Sequence, residues 1–129
     1  MELADIQYRA RAQREFTVAC DHATFTLRRP YPFDVALCEG RARQAGAGTA
    51  AMVMLERELL RLAVVGWQTV RVADVIEMAP DAAAEDMPFD SAAVELVLNA
   101  RPEWAASLST ELFQRMAQAN ARREAAEKN

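Results

Sequence analysis

The stretch LLRLAVVGWQTVRV, residues 59–72, decides the fold because a charged amphipathic helix runs here into two valines, a glycine and a tryptophan. At about 100° per residue, apolar side chains cover more than half of the circumference of a helix over residues 50–65. So wide an apolar surface predicts burial on two sides, and therefore the central helix of the fold. Gly66 is expected to be the C′ residue that stops this helix, with Trp67 the first residue beyond it.

Glu56 projects from the middle of the apolar arc of this predicted helix. An isolated buried carboxylate is very costly. We therefore expect Glu56 to form a buried ion pair or to lie at a subunit interface. The candidate partners are the arginine pairs Arg28-Arg29 and Arg41-Arg43.

Before the central helix, apolar and polar residues alternate with a period of two in EFTVACDHATFTLRRP, residues 15–30. This alternation, interrupted by Asp21-His22, predicts a β-hairpin. A two-stranded hairpin is marginally stable alone, so its apolar face should pack on helices. Pro30 and Pro32 should end the second strand, because proline cannot continue the ladder.

Helix boundaries follow from caps and breakers. A helix is predicted from Asp34, as its N-cap, to about Gln44, with the breaker AGAG next and Thr49 as the cap of the central helix. Another helix should follow, with Asp90 or Ser91 as its N-cap. The last helix should begin at Pro102, since proline is favoured in the first helical turn. These last two helices carry the apolar residues Val94, Leu96, Val97, Leu98, Leu108, Leu112, Phe113 and Met116.

The sequence thus predicts a mainly α, α+β fold in which an N-terminal β-hairpin packs on a bundle of about four helices. Residues 1–14 are expected to be a flexible or helical arm, 15–118 a single helical domain with the hairpin, and 119–129 a charged, fraying tail. Between the helices, residues 69–78 should be a short helix or irregular, and residues 79–88 an acidic surface loop.

Composition places the chain among globular proteins. It has 129 residues, 52% of them apolar and 26% charged, and a net charge of -4. The acidic balance and the scattered basic residues predict no nucleic-acid binding. No apolar run reaches the ~18–20 residues that cross a bilayer, so no membrane association is expected. The N-terminus lacks the apolar core of a signal peptide, so a cytoplasmic location is expected. Cys20 and Cys38 are expected to be reduced thiols.

Residue patterns that carry catalysis are missing. His22 is the single histidine and is expected to be a solvated turn residue, so no nucleophile–base pair is predicted. No cluster has metal-ligand spacing, the pair Glu85-Asp86 belongs to the acidic loop, and no phosphate-binding glycine motif is present. We expect a protein that is not an enzyme and uses no cofactor or metal.

Large apolar residues stand beside proline or glycine at the edges of several predicted elements. They can be plugs between helices that fix where the chain enters each element, or anchors for self-association or for a partner, since tryptophan and tyrosine are enriched in interface hot spots. The candidate binding residues, with two adjacent arginines, are Arg28, Arg29, Tyr31, Phe33, Trp67, Phe89 and Trp104.

The order of motifs resembles a known family. TLRRPYPFDVAL, a long helix ending AVVGW, a loop to PFD, a helix reaching RPEW and a charged tail together resemble the tail assembly chaperones of long-tailed bacteriophages and prophages. The resemblance covers residues from about 15 to the C-terminus. It implies a small, mainly helical, non-catalytic protein that binds the tape measure protein, keeps it soluble and helps to recruit tail-tube subunits.

The resemblance also implies a homo-oligomer of the bacterial host cytoplasm that is not retained in the mature virion. Members of this family often exist in a short form and a frameshifted longer form, through which the tail-tube protein would be contacted. The codons of Glu127, Lys128 and Asn129 can form the adenine tract on which ribosomes slip. The alternative is another small structural or interaction protein of a phage-like particle, such as a head–tail connector or adaptor.

Overall fold

The computed structural model describes residues 1–77 and 84–128 and shows an α+β fold, as predicted. A small antiparallel sheet in the order β1-β2-β3 lies against helices, and a short 3-10 helix precedes α5. In chain order the elements are α1 (Leu3–Ala12), β1 (Glu15–Cys20), β2 (Ala23–Arg28), α2 (Pro32–Gln44), α3 (Thr49–Ala63), β3 (Val64–Gln68), α4 (Val72–Val75), the 3-10 helix (Ser91–Ala93), α5 (Val94–Ala100) and α6 (Pro102–Lys128).

The predicted hairpin is confirmed as β1 and β2. Burial alternates strictly along β1, as the period-two pattern requires, and Val18 stands opposite Phe25 in the ladder. The two strands are joined at Asp21, whose φ of 54° lies in the left-handed region that aspartate tolerates better than most residues.

The prediction that the central helix continues to residue 65 and stops at Gly66 is wrong. The helix α3 ends at Ala63, and the next five residues form β3, which pairs antiparallel with β2 so that Trp67 stands opposite Phe25. Val64 and Val65 are β-branched and favour a strand. The strand also satisfies the hydrogen bonds of the β2 edge, which would otherwise be unpaired.

Two predicted helix caps are also wrong, and the third holds only for the 3-10 helix, because α5 itself begins at Val94 with Ala93 as its N-cap. The N-cap of α2 is Tyr31, because Pro32 fits the first helical turn, and Asp34 lies inside that turn. The N-cap of α3 is Gly48, with a φ of 75°. Asp90 does cap the 3-10 helix, since its Oδ1 accepts a hydrogen bond from the backbone N–H of Ala92 at 2.9 Å.

The core lies between the inner face of the sheet and the helices α3, α5 and α6. Each of these helices supplies large side chains that are removed from water, at roughly 25 cal/mol per Å² of apolar surface. The largest fully buried side chains are Phe25, Leu27, Leu59, Leu60, Leu98, Leu108 and Leu112.

The two ends of the described chain are helical and exposed. The predicted arm forms α1, none of whose residues is buried. The segment from 119 that was predicted to fray continues α6 as far as Lys128, with its last eight described residues exposed. Of the predicted acidic loop, residues 79–83 lie outside the described residues, and Glu85 and Asp86 are exposed.

Candidate partner-binding surfaces

Trp67 is a core residue within the subunit. Its side chain is 7% exposed, and its indole Nε1–H donates a hydrogen bond to the carbonyl oxygen of Met87 at 2.9 Å. Its ring meets Phe89 edge to face at a centroid distance of 4.8 Å, and Phe25 at 6.1 Å. Trp67 therefore holds the segment before α5 on the sheet. Of the two interpretations of Trp67 and Phe89, the intramolecular plug is the one that these contacts support.

Trp104 also lies in the core, with 2% of its surface exposed. Its indole Nε1–H donates to Oδ2 of Asp21, in the hairpin turn, at 2.7 Å. The rings of His22 and Phe25 meet it edge to face at 5.6 and 5.8 Å. The start of α6 is thereby fixed to the turn between β1 and β2, so little of this tryptophan is left for a partner.

His22 lies in the hairpin turn and is exposed, as predicted, but it is also bound to a carboxylate, which was not predicted. Its Nε2 lies 2.8 Å from Oδ2 of the buried Asp74, while one third of the ring side chain stays exposed. Asp74 also accepts from the backbone N–H of Arg71 at 2.8 Å and from the guanidinium of Arg101 at 3.2 Å. These groups form the Asp74 cluster, which joins the hairpin turn, α4 and the α5–α6 junction.

The charge of Asp74 is stabilised by its partners. Burial alone raises the pKa of this carboxyl group, but hydrogen bonds from His22 and from the Arg71 N–H, with the charges of His22 and Arg101, outweigh burial and hold the pKa below 3.8. The sequence signal for this residue was an acid inside the apolar run VADV, which sequence reasoning did not weigh.

Both cysteines are poor candidates for a nucleophile. Cys20 and Cys38 are free and buried, and burial is the main cause that raises the pKa of each thiol. A raised pKa keeps a thiol protonated and therefore unreactive at neutral pH.

Glu56 lies in an open groove between α3 and α6, where it is half-buried. None of the salt bridges among the described residues includes it, and the expected pairing with the arginine pairs is not formed. It is Glu58, two residues on, that binds Arg41 at 3.2 Å and Arg61 at 3.4 Å. The other half of the expectation, a place at a subunit interface, stays a prediction.

We call this feature the α3–α6 groove. It has a volume of about 590 Å³, and small side chains predominate along its α6 wall. Met52 and Val53, four and three residues before Glu56, are 55% and 51% exposed, and this spacing places them on the same side of α3 as Glu56. The groove is lined by Glu56, Ala106, Ser109, Thr110, Phe113, Gln114 and Ala117.

The remaining predicted binding residues lie at the end of β2 and the start of α2. Arg28 is bound to Glu15 across the hairpin at 2.8 Å. Tyr31 and Phe33 are 48% and 72% exposed. Arg29 lines a second pocket, between α2 and the C-terminal half of α6. The structure therefore separates the predicted binding residues into a buried tryptophan group and an exposed group around α2.

Within residues 1–77 and 84–128, no helix is both long enough and apolar enough to span a membrane. In comparisons with protein-family models, curated proteins and solved structures, no match to this chain was found.

Proposed function

We propose that this chain is a tail assembly chaperone of a long-tailed phage or prophage. It binds the tape measure protein in the bacterial host cytoplasm, keeps it soluble, helps to recruit the tail-tube protein and is not retained in the mature virion. It catalyses no reaction. The proposal is supported by the order of sequence motifs and by one structural observation, the α3–α6 groove with exposed apolar side chains beside it.

The groove suits an amphipathic helix. The small residues Ala106 and Ala117 let the backbone of a bound helix approach α6, and Phe113 and Met52 supply apolar contact. Helix-in-groove recognition takes an apolar stripe at spacings of three and four residues, such as a long tape measure helix would present. Glu56, which forms no salt bridge within the described chain, would accept a lysine or arginine flanking that stripe.

Further apolar surface is available for self-association. Large side chains are exposed on α1, on α2 and along α3, and α2 packs against α3. Contiguous exposed apolar surface marks interaction sites, whereas scattered single residues do not. A homo-oligomer would cover part of this surface. The exposed large apolar residues of these helices are Leu3, Ile6, Tyr8, Phe33, Leu37, Met52, Val53, Met54 and Leu62.

Co-expression tests the proposal. The chain is produced together with the tape measure protein encoded in the same gene cluster, and the soluble fraction of the tape measure protein is measured with and without it. We expect the chain to raise that fraction and to elute with the tape measure protein. An unchanged soluble fraction, with the chain eluting as a monomer at high concentration, would contradict the proposal.

Gene order separates the proposal from a head–tail connector or adaptor. A chaperone gene is expected between the gene of the major tail protein and a very long tape measure gene. The last ten codons of the gene show whether a slippery adenine tract exists at Glu127-Lys128-Asn129. Such a tract would support the longer form through which the tail-tube protein is recruited.

A further inference from the structure

A second pocket lies between α2, the segment after β2 and the C-terminal half of α6. Its volume is about 450 Å³, within the range of roughly 300–1,000 Å³ typical of ligand sites. Its walls combine aliphatic side chains with guanidinium groups. We call it the arginine pocket, and it is lined by Arg14, Arg29, Pro30, Pro32, Val35, Ala36, Glu39, Met116, Ala119, Asn120 and Arg123.

The arginines of this pocket have neutral partners. Arg14 donates from Nε to the carbonyl oxygen of Arg29 at 2.8 Å and from NH2 to that of Pro30, and it stacks on the ring of Tyr31 at 3.8 Å. Arg29 donates to the carbonyl oxygen of Gln13 at 3.3 Å. These contacts fix the two guanidinium groups without neutralising them.

The third arginine of the pocket is bound in the same way. Arg123 donates to Oδ1 of Asn120 at 3.3 Å. None of the salt bridges among the described residues includes Arg14, Arg29 or Arg123, or the adjacent Arg122. By contrast, Glu39, the carboxylate among the lining residues, is bound to Arg43 on its own helix at 3.6 Å.

Positive charge therefore accumulates in a chain whose net charge is -4. Burial, followed by the charges of Arg14 and Arg122, lowers the pKa of Arg29 from its ordinary value. Like charges that are partly withdrawn from water repel each other more strongly than they do in bulk solvent. An anion seated between them would relieve this repulsion and accept hydrogen bonds from a pre-positioned set of donors.

We propose that the arginine pocket binds an acidic segment of a partner protein, with a glutamate or aspartate carboxylate among Arg14, Arg29 and Arg123 and a neighbouring apolar side chain against Val35 and Met116. Charge complementarity supplies the attraction, and the aliphatic wall supplies the preference for a peptide. The inference concerns a surface separate from the α3–α6 groove, and it does not rest on the proposed function.

The mixed lining favours a peptide over nucleic acid. A nucleic-acid site needs a basic face that follows a row of phosphates, whereas the acidic chain as a whole would repel a polyanion outside this one pocket. The apolar residues Pro30, Pro32 and Ala36 would gain nothing from a free inorganic anion. A segment that alternates acidic and apolar residues uses both kinds of lining.

Fluorescence anisotropy with the full chain tests the inference. The probe is a labelled ten-residue peptide of alternating glutamate and leucine, and its matched comparison has glutamine in place of each glutamate. A charge-assisted hydrogen bond contributes about 1.5–3 kcal/mol, and 1.4 kcal/mol is a factor of ten in affinity. We therefore expect the glutamine peptide to bind at least about tenfold more weakly, and added salt to weaken the glutamate peptide.

Two variants locate the binding. Arg123→Glu reverses a charge on the exposed end of α6 and should lower the affinity of the glutamate peptide by at least about tenfold. The control Arg9→Glu makes the same charge change on α1, outside the pocket, and should leave the affinity within about twofold. Arg29→Gln is a second pocket variant with the same expected loss, and circular dichroism verifies that each variant is folded.

Four results would overturn the inference. The first two are equal binding of the glutamate and glutamine peptides, and wild-type affinity for the glutamate peptide in both folded pocket variants. The third is complete displacement of the peptide by millimolar inorganic phosphate. The fourth is binding of a ten-nucleotide RNA that is tighter than peptide binding and is lost in the pocket variants. None of them bears on the tape measure protein, so this test and the co-expression test fail independently.

Discussion

Asp74 joins three segments that are far apart in the sequence. It is bound by His22 in the hairpin turn, by the backbone N–H of Arg71 at the start of α4 and by Arg101 at the α5–α6 junction. Its side chain is almost fully buried, whereas about one third of each of the His22 and Arg101 side chains is exposed. A buried carboxylate with three donors stabilises the fold only while it is ionised.

Replacing Asp74 with asparagine should lower the free energy of unfolding by about 2 kcal/mol at neutral pH. Asparagine can still accept from the Arg71 N–H, but it removes the charge that His22 and Arg101 bind. Because about one third of each partner side chain is exposed, the expected loss stays below the 3–5 kcal/mol of a fully buried pair. Urea unfolding of the two proteins at pH 7 measures the difference.

The same pair of proteins should differ in their dependence on pH. The pKa of Asp74 is lower in the folded chain than its ordinary value of 3.8, so its contribution is complete above that value and is lost as pH falls through the folded pKa. The stability gap between wild type and Asp74→Asn should therefore shrink as the pH falls from about 5 toward 2. A gap that stays constant to pH 2 would show that Asp74 is not held in its charged form.

At the scale of elements, β3 changes the interpretation of the stretch AVVGW. A helix ending at Gly66 and a strand passing through Gly66 place the same apolar residues in different surroundings. In the strand, Trp67 stands on the inner face of the sheet beside Phe25. Helical periodicity upstream could not reveal this, because the strand exists through its pairing with β2, some forty residues earlier.

Gly66→Ala distinguishes the two conformations. Gly66 does not have the positive φ of a helix-stopping C′ residue, and a Cβ there would meet Thr26 Cβ at 3.7 Å, an ordinary van der Waals contact. Alanine should therefore raise the free energy of unfolding by up to about 0.5 kcal/mol, since glycine costs entropy in a strand. Thermal unfolding measures this change. A loss of 1 kcal/mol or more would indicate the left-handed C′ conformation instead.

For the whole molecule, the sequence was sufficient for those features that local patterns determine. The hairpin followed from alternation and the start of α6 from Pro102. Asp90 was predicted to be a cap, although the helix that it caps is the 3-10 helix before α5. The α+β class followed because a hairpin is unstable unless helices cover its apolar face.

Features that depend on contacts between distant segments could not be predicted in this way. The indole N–H of Trp67 donates a hydrogen bond to the carbonyl oxygen of Met87, and the carboxylate of Asp74 binds Arg101, 27 residues further along the chain. The local pattern does not predict which arginine lies near Glu56. In the structure, Arg41 forms its ion pair with Glu58 instead. The α3–α6 groove and the arginine pocket likewise arise only when helices that are distant in the chain are brought together.

The variant Thr110→Arg tests the proposal that the α3–α6 groove holds a helix of the tape measure protein. Thr110 is an exposed residue on the α6 wall of the groove, so arginine should fold normally, fill the groove and bind Glu56. The control Gln118→Arg adds the same charge to an exposed position of α6 outside the groove.

The decisive measurement is the amount of tape measure protein that co-purifies with each variant after co-expression. We expect Gln118→Arg to recover as much tape measure protein as wild type, and Thr110→Arg to recover at least about tenfold less, because arginine would fill the middle of the groove. Equal recovery with a folded Thr110→Arg protein would show that the tape measure protein does not bind in the α3–α6 groove.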